Sequence, residues 1–470
     1  MKDKVKDIFI KAKQGLEWFF KSDFYYVFFT FMVILSWTLK NSYIGITVAG
    51  LTLVLDFLLS KSLNRFALVA VVIPAMVDTE FMSRLTPAFL VYSIIVVVLV
   101  LLSGVYYFLN NYQKDDRKIV NSKFFIAYVI SIVAIALAGV GYPGQTVTKV
   151  MIAVGVHLGL LGLYCLLYKC SDENSKEEIA KSIVALGVVM VVEMLIFLVN
   201  SPDIKVIITT KTLVLGWAIT NSLACMLAVC IPLAFYLAKG KRVQLPYMIL
   251  GTLFYCAIFL TNCRSMILVG SVVYFATLVV SVIKLNRWQA LLNIGVMAVI
   301  GIIAVNNYFS EIFGQFLNIG LDDNGREELF TYYLSQFKEH PVFGMGFFND
   351  TEIQADGMVR AHNTILQIVA SMGIFGVICA LYYYYTRYIS FFKNFTTFKL
   401  FAIISYVAMA GYGMFDCAII SSYKLIIVYL LMLAVELDSP YKPWATDLVQ
   451  KVKLKFKNKE KIQNTTGETA

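Results

Sequence analysis

Apolar runs divided by short polar stretches repeat along this chain from residue 23 to residue 437. Fourteen such runs can be drawn, at 23–39, 43–60, 66–81, 87–109, 124–141, 147–168, 179–200, 213–238, 245–262, 265–283, 289–306, 363–385, 399–415 and 420–437. Each is near the roughly 20 residues that carry a helix across a bilayer. The apolar residues are continuous rather than alternating, which excludes a lipid-facing β-barrel. The pattern therefore predicts an all-α polytopic integral membrane protein with twelve to fourteen transmembrane helices. The third run is the weakest, being short and carrying Pro74 and Asp78. The pattern has one long interior break, 306–362. Within it Phe330, Tyr333, Leu334 and Phe337 recur at helical spacing, with Asn324 as a candidate N-cap and Pro341 after the end. The break thus predicts one long loop containing a short amphipathic helix.

Composition agrees with the class: 59% of residues are hydrophobic and mean hydropathy is +0.74. No cleavable signal is expected, because residues 1–22 are polar and lysine-rich and no small-residue cleavage site follows the first apolar run. The net charge of +10 changes the picture through its distribution. With the N-terminus inside, 30 of the 40 lysines and arginines fall on the cytoplasmic side. This bias orients a membrane protein. It predicts a cytoplasmic basic N-terminus (1–22), a transmembrane helical domain (23–437), a cytoplasmic basic tail (438–470) and an extracytoplasmic 306–362 loop. The basic stretch 451–459 is then a contact for anionic membrane lipids, or a solvated tail, and not a nucleic-acid site. The eight cysteines show no CxxC spacing. Cys165, Cys225, Cys230, Cys256 and Cys379 read as packing residues, and a Cys263–Cys417 disulfide is the less favoured reading. There is no P-loop, dinucleotide fingerprint or HExxH, and no repeated pair of broken helices of the transporter kind.

Few charged groups remain outside. Arg264 interrupts two apolar runs with almost no turn, so it is either an interfacial anchor or faces a polar cavity. Arg326 falls in the first turn of the loop helix, where a cation opposes the helix dipole; it either pairs Asp322 or Asp323 or meets an anion. His362 opens the helix that follows the loop, where the dipole favours a neutral ring able to take a proton, or it is simply a capping group. Arg360 beside it is a further phosphate contact or a rim charge. His157 reads as polar glue between helices and His340 as a cap on helix carbonyls. Glu193, within an apolar run, faces the interior and pairs an arginine or touches substrate. The cluster Asp78, Glu80, Arg84 and the lone Asp416 read as solvated loops. Two arginines and a neutral histidine on one face suggest a pyrophosphate site beside a base, since guanidinium forks match phosphate oxygens.

Four fragments, in this order, resemble the O-antigen ligase / O-antigen polymerase superfamily of bacterial membrane glycosyltransferases. They are Thr261-Asn-Cys-Arg264-Ser, Gly325-Arg326-Glu-Glu-Leu-Phe330, His340-Pro-Val-Phe-Gly-Met-Gly346, and Ala361-His362-Asn363-Thr-Ile-Leu-Gln367 with Gly373-Ile-Phe-Gly376 behind it. Gly216-Trp217 followed by Asn221 adds to the set, and the resemblance covers about residues 213–385. It implies a GT-C-like fold in the bacterial inner membrane and an inverting, metal-independent transferase without a cofactor. The donor would be a glycan on undecaprenyl pyrophosphate at the outer leaflet, and the acceptor a second glycan. Arg264 and Arg326 would hold the pyrophosphate with Arg360, and His362 would deprotonate the acceptor hydroxyl. Glu193, Asn363 and Tyr333 would be accessory groups, and a chain-length regulator protein a further partner. Where the family often has Ser before the first arginine, this chain has Cys263. The number of spans favours a polymerase over a ligase, with a lipid-linked oligosaccharide flippase or solute transporter as the rival class.

Overall fold

The computed structural model describes residues 2–60, 62–111, 119, 122–172, 174–318, 326–349, 361–416 and 422–438, and for 2–10, 12, 111, 304–318, 326, 422 and 423 the backbone alone. Its helices are α1 (Lys2–Lys21), α2 (Phe24–Thr38), α3 (Ser42–Leu59), α4 (Arg65–Val72), α5 (Pro87–Asn111), α6 (Lys123–Leu137), α7 (Val147–Cys170), α8 (Ser175–Val199) and α9 (Ile204–Thr210). They continue with α10 (Thr220–Leu237), α11 (Leu245–Leu260), α12 (Arg264–Lys284), α13 (Arg287–Asn318), α14 (Arg326–Glu339), α15 (Thr364–Phe392), α16 (Thr397–Gly413) and α17 (Ser422–Leu437). All fourteen apolar runs lie on helices. Among the described residues, seven helices are long and apolar enough to cross a membrane: α3, α5, α7, α8, α10, α12 and α15. The end of α1 and all of α2, bent by 78°, would make an eighth.

The centre of the bundle is α10. Leu223 through Leu237 are buried without interruption, so this helix is apolar on every side. In lipid, apolar area alone does not favour helix against helix, and close van der Waals contact has to do so. Two glycines provide it: the Phe254 ring of α11 fills the notch at Gly187 of α8, and the Phe235 ring of α10 fills the one at Gly251 of α11. A methyl at either glycine would meet a ring face within 3 Å.

Polar layers close both ends. At one end Lys181 pairs Asp23, Lys176 pairs Asp438, Arg65 pairs Glu178, and the Asn286 and Gln289 side of α13 meets Gln244. The start of α2 and the end of α17 therefore meet on the first turns of α8. At the other end Gly139 donates to Phe343 O, Trp37 Nε1 to Leu215 O, and Asn262 Nδ2 to Ile208 O. This second layer carries the candidate site residues.

Several expectations change. α13 runs on past residue 306 to Asn318, because Phe309, Ile312, Phe313 and Phe316 continue its helical spacing through polar surroundings. The short third run gives only α4 and a 3₁₀ turn (Ile73–Met76) at Pro74. Asp78 is not solvated: it is buried, pairs Arg84, and takes Glu80 N at 2.7 Å, while Glu80 pairs Lys40. Arg387 does not lie in a loop, since α15 carries it inside and continues to Phe392. Asn324 and Cys417 lie outside the described residues, and Cys263 is a free thiol.

Candidate functional site

The site end is organised by a break in α15. Gly373 has φ +61° and ψ −162°, a conformation that is essentially glycine's alone. The break frees the carbonyls of Ala370 and Ser371 and the N–H groups of Ile374 and Phe375. All four are taken up by the segment after α14. Met345 N and Gly346 N donate to Ala370 O and Ser371 O at 2.8 and 2.9 Å, and Ile374 N and Phe375 N donate to Pro341 O and Val342 O. Buried backbone groups in a membrane protein need such partners. Gly344 allows the approach: a Cβ there would overlap the Ala370–Met372 backbone. The two glycine-rich fragments of the sequence are therefore the two halves of one clasp, which fixes α14 on the N-terminal half of α15. Tyr333 is 1% exposed in the seam, packed with Met345, Ala361 and Ala370.

His362 stands just before α15, not in it. Asn363 is the N-cap, accepting from Leu366 N at 3.0 Å. Asn363 Nδ2 also donates to Met414 O at 3.1 Å, and Thr364 Oγ1 to Asp416 O at 3.0 Å. These two bonds tie the start of α15 to the end of α16. Asn363 is thus a cap and a tie. His362 takes a left-handed φ of +44°, which histidine tolerates better than most residues. Its ring lies against the next loop: Nδ1 is 3.7 Å from Asp416 Oδ1, with the side chains 27% and 15% exposed. Asp416 Oδ2 accepts from Tyr412 OH, and that phenol oxygen accepts from Lys424 Nζ of α17. Lys424 is 6% exposed and sits 4.1 Å from the Tyr412 ring centroid.

Sequence reasoning misread Asp416 as a solvated acid and missed Tyr412 and Lys424. The available signals were an acid in the short stretch between two apolar runs and a lysine just inside the next run. Nothing in the spacing says that they meet His362.

Arg264 is the first residue of α12, half-buried, and among the described residues no hydrogen bond or ion pair holds its guanidinium. Cys263, the N-cap, offers no side-chain acceptor to the first N–H groups. α12 packs on α16, with Val269 closing on Gly411. Buried Cys225 of α10 lies within electrostatic reach of Cys263, Asp416 and Lys424 at once. Arg264, at the start of α12, and His362, just before α15, are therefore at one end of the bundle, each beside the C-terminal part of α16. α14 is described from Arg326 to Glu339, within the stretch where the apolar spacing predicted a helix, although the Arg326 side chain and all of Arg360 lie outside the described set.

Glu193 is not at this surface. It is fully buried, and its Oε2 accepts from Trp217 Nε1 at 2.8 Å, so its partner is an indole and not an arginine. Oε1 has no partner. The pair pins the 213–219 turn to α8. His340 packs its ring edge-to-face on Tyr142, 5.0 Å between centroids. His157 Nδ1 bonds Tyr128 OH at 2.9 Å between α7 and α6, the helix-to-helix polar contact expected of it.

Residues 208–381 match the family model described as O-antigen ligase. Over those residues the chain is similar to that family. The match supports the O-antigen ligase / polymerase superfamily, and with it a membrane protein of polysaccharide biosynthesis. No curated protein matches the chain. The matched residues include Arg264, Arg326, the clasp and His362, whereas Glu193, Asp416 and Lys424 lie outside them.

Proposed function

We propose that this protein is a polysaccharide polymerase of the inner membrane. It transfers glycan repeat units from undecaprenyl pyrophosphate to a second repeat unit at the extracytoplasmic face, with both termini in the cytoplasm. One observation carries the reading: a histidine backed by a half-buried carboxylate shares an end of the bundle with an arginine that has no side-chain partner among the described residues. His362 takes the proton of the acceptor hydroxyl as that oxygen bonds the anomeric carbon. The bond from that carbon to the pyrophosphate oxygen breaks on the opposite face, so configuration inverts. The negative charge that develops on the leaving pyrophosphate is met by Arg264, by the free N–H groups at the start of α12, and by Arg326 and Arg360. Asp416 holds the ring with Nε2 toward the acceptor and stabilises the imidazolium that forms, an arrangement worth about 10²–10⁴ in rate for a placed general base. No step calls on a metal or cofactor.

A second reading, transfer of a finished glycan to lipid A core or another acceptor, is favoured by the printed description of the matched family as ligase. The fourteen apolar runs of the sequence favour the polymerase. Purified protein in vesicles with a lipid-linked repeat unit separates them. A ladder of lengthening lipid-linked products supports the polymerase. Transfer only to an added core acceptor supports the ligase. Donor movement across the vesicle without extension supports a flippase and refutes both.

A further inference from the structure

Beside Thr364 and Met414 begins a cavity of about 360 Å³ between α6, α7, α15, α16 and α17. Along α15 its wall is apolar, made by Ile368, Met372, Cys379 and Ala380. Ile365, Met414 and Tyr384 line it and are 56%, 49% and 43% exposed, so its flank is open to lipid. The far end is different in kind. Arg387, 6% exposed, lies there with its guanidinium carbon 3.8 Å from the Tyr383 ring centroid, 5.1 Å from Tyr406 and 5.6 Å from Tyr384. Nη1 donates to Tyr406 OH at 2.5 Å, and Nε is buried with no partner. Among the described residues no carboxylate pairs with Arg387. Ring faces attract a cation, but that attraction does not replace a counter-charge in a membrane protein's interior. A cavity with an apolar wall, a lateral opening and an uncompensated guanidinium at one end complements a lipid chain with an anionic head.

We propose that this groove is a binding site for an anionic glycerophospholipid. Its phosphodiester is held by Arg387 and the neighbouring phenols, one acyl chain lies along Ile368 to Ala380, and the second chain remains in the bilayer through the open flank. The polarity separates this lipid from the donor: a donor with its pyrophosphate near His362 and Arg264 has its anion at the opposite end of the groove. The phospholipid therefore comes from the other leaflet, an assignment of side that rests on the function proposed above. The lipid would brace α15 below its break and so support the clasp that holds His362.

The test is lipid retention by the full-length protein, a readout independent of glycan transfer. Protein is washed free of lipid in detergent, mixed with phosphatidylglycerol, phosphatidylethanolamine or undecaprenyl phosphate, and read by native mass spectrometry. One phosphatidylglycerol should stay bound, with phosphatidylethanolamine held about tenfold less tightly. Arg387→Gln should abolish that preference, and Arg387→Lys, which keeps the charge but loses the fork, should retain part of it. Ala380→Trp fills the apolar stretch without touching the guanidinium and should also displace the lipid, which keeps the test open if Arg387→Gln fails to fold. Equal retention of the two phospholipids, unchanged retention in Arg387→Gln and Ala380→Trp, or preferential uptake of undecaprenyl phosphate would each overturn the proposal.

Discussion

Asp416→Asn isolates the role of the carboxylate behind His362. The substitution keeps the shape of the side chain and an oxygen for Tyr412 OH, so the tie between α15 and α16 should hold. What it removes is a negative charge 3.7 Å from Nδ1. Two unit charges at that distance attract by about 4 kcal/mol at an effective dielectric of about 20. Both groups are partly exposed, and Lys424, bonded to Tyr412, opposes the carboxylate. Halving the figure for this screening leaves about 2 kcal/mol, or about 30-fold in kcat. Single-turnover extension of a lipid-linked repeat unit in nanodiscs measures the loss. A kcat within about threefold of wild type would refute the pairing.

Arg264→Ala should abolish extension yet leave the thermal midpoint in place, because among the described residues no group bonds that guanidinium; a lowered midpoint would mean that Arg264 is structural. Gly373→Ala should lower the midpoint and the yield of folded protein, by at least the roughly 1–2 kcal/mol of a left-handed alanine, since its Cβ would also run into Val342 O; normal stability would contradict the clasp. Glu193→Gln keeps an acceptor for Trp217 Nε1 and removes a buried ionisable group, so it should match or exceed wild-type stability and keep activity. Glu193→Ala orphans the indole and should cost about 1–3 kcal/mol in denaturation measured by Trp fluorescence; equal stability of the two variants would show that the bond does not hold the 213–219 turn.

The helices were legible because a membrane segment declares itself by length and apolarity, one residue at a time. Arg264 and His362 were legible for a related reason: charge at the edge of an apolar run has few neutral explanations. Partners were not legible. Asp416 looked like any loop acid, and Lys424 like a lysine reaching for the interface, because their meeting at Tyr412 is set by how α16 and α17 pack. The glycines at 344, 346 and 373 announced bends, but not that one bend supplies the hydrogen bonds the other loses. The apolar run drawn to residue 385 stopped two residues short of Arg387; here a box of tyrosines lets the helix carry it inward. Glu193 was correctly read as facing inward, and only its partner, the Trp217 indole, was missed.

The central claim is that His362 is the base of a glycan transferase. Wild type and His362→Ala, reconstituted side by side with a lipid-linked repeat unit, test it most directly. The account predicts that the variant folds with an unchanged thermal midpoint, still binds the donor, and forms no product longer than a single unit. Elongation by His362→Ala at the wild-type rate would contradict it.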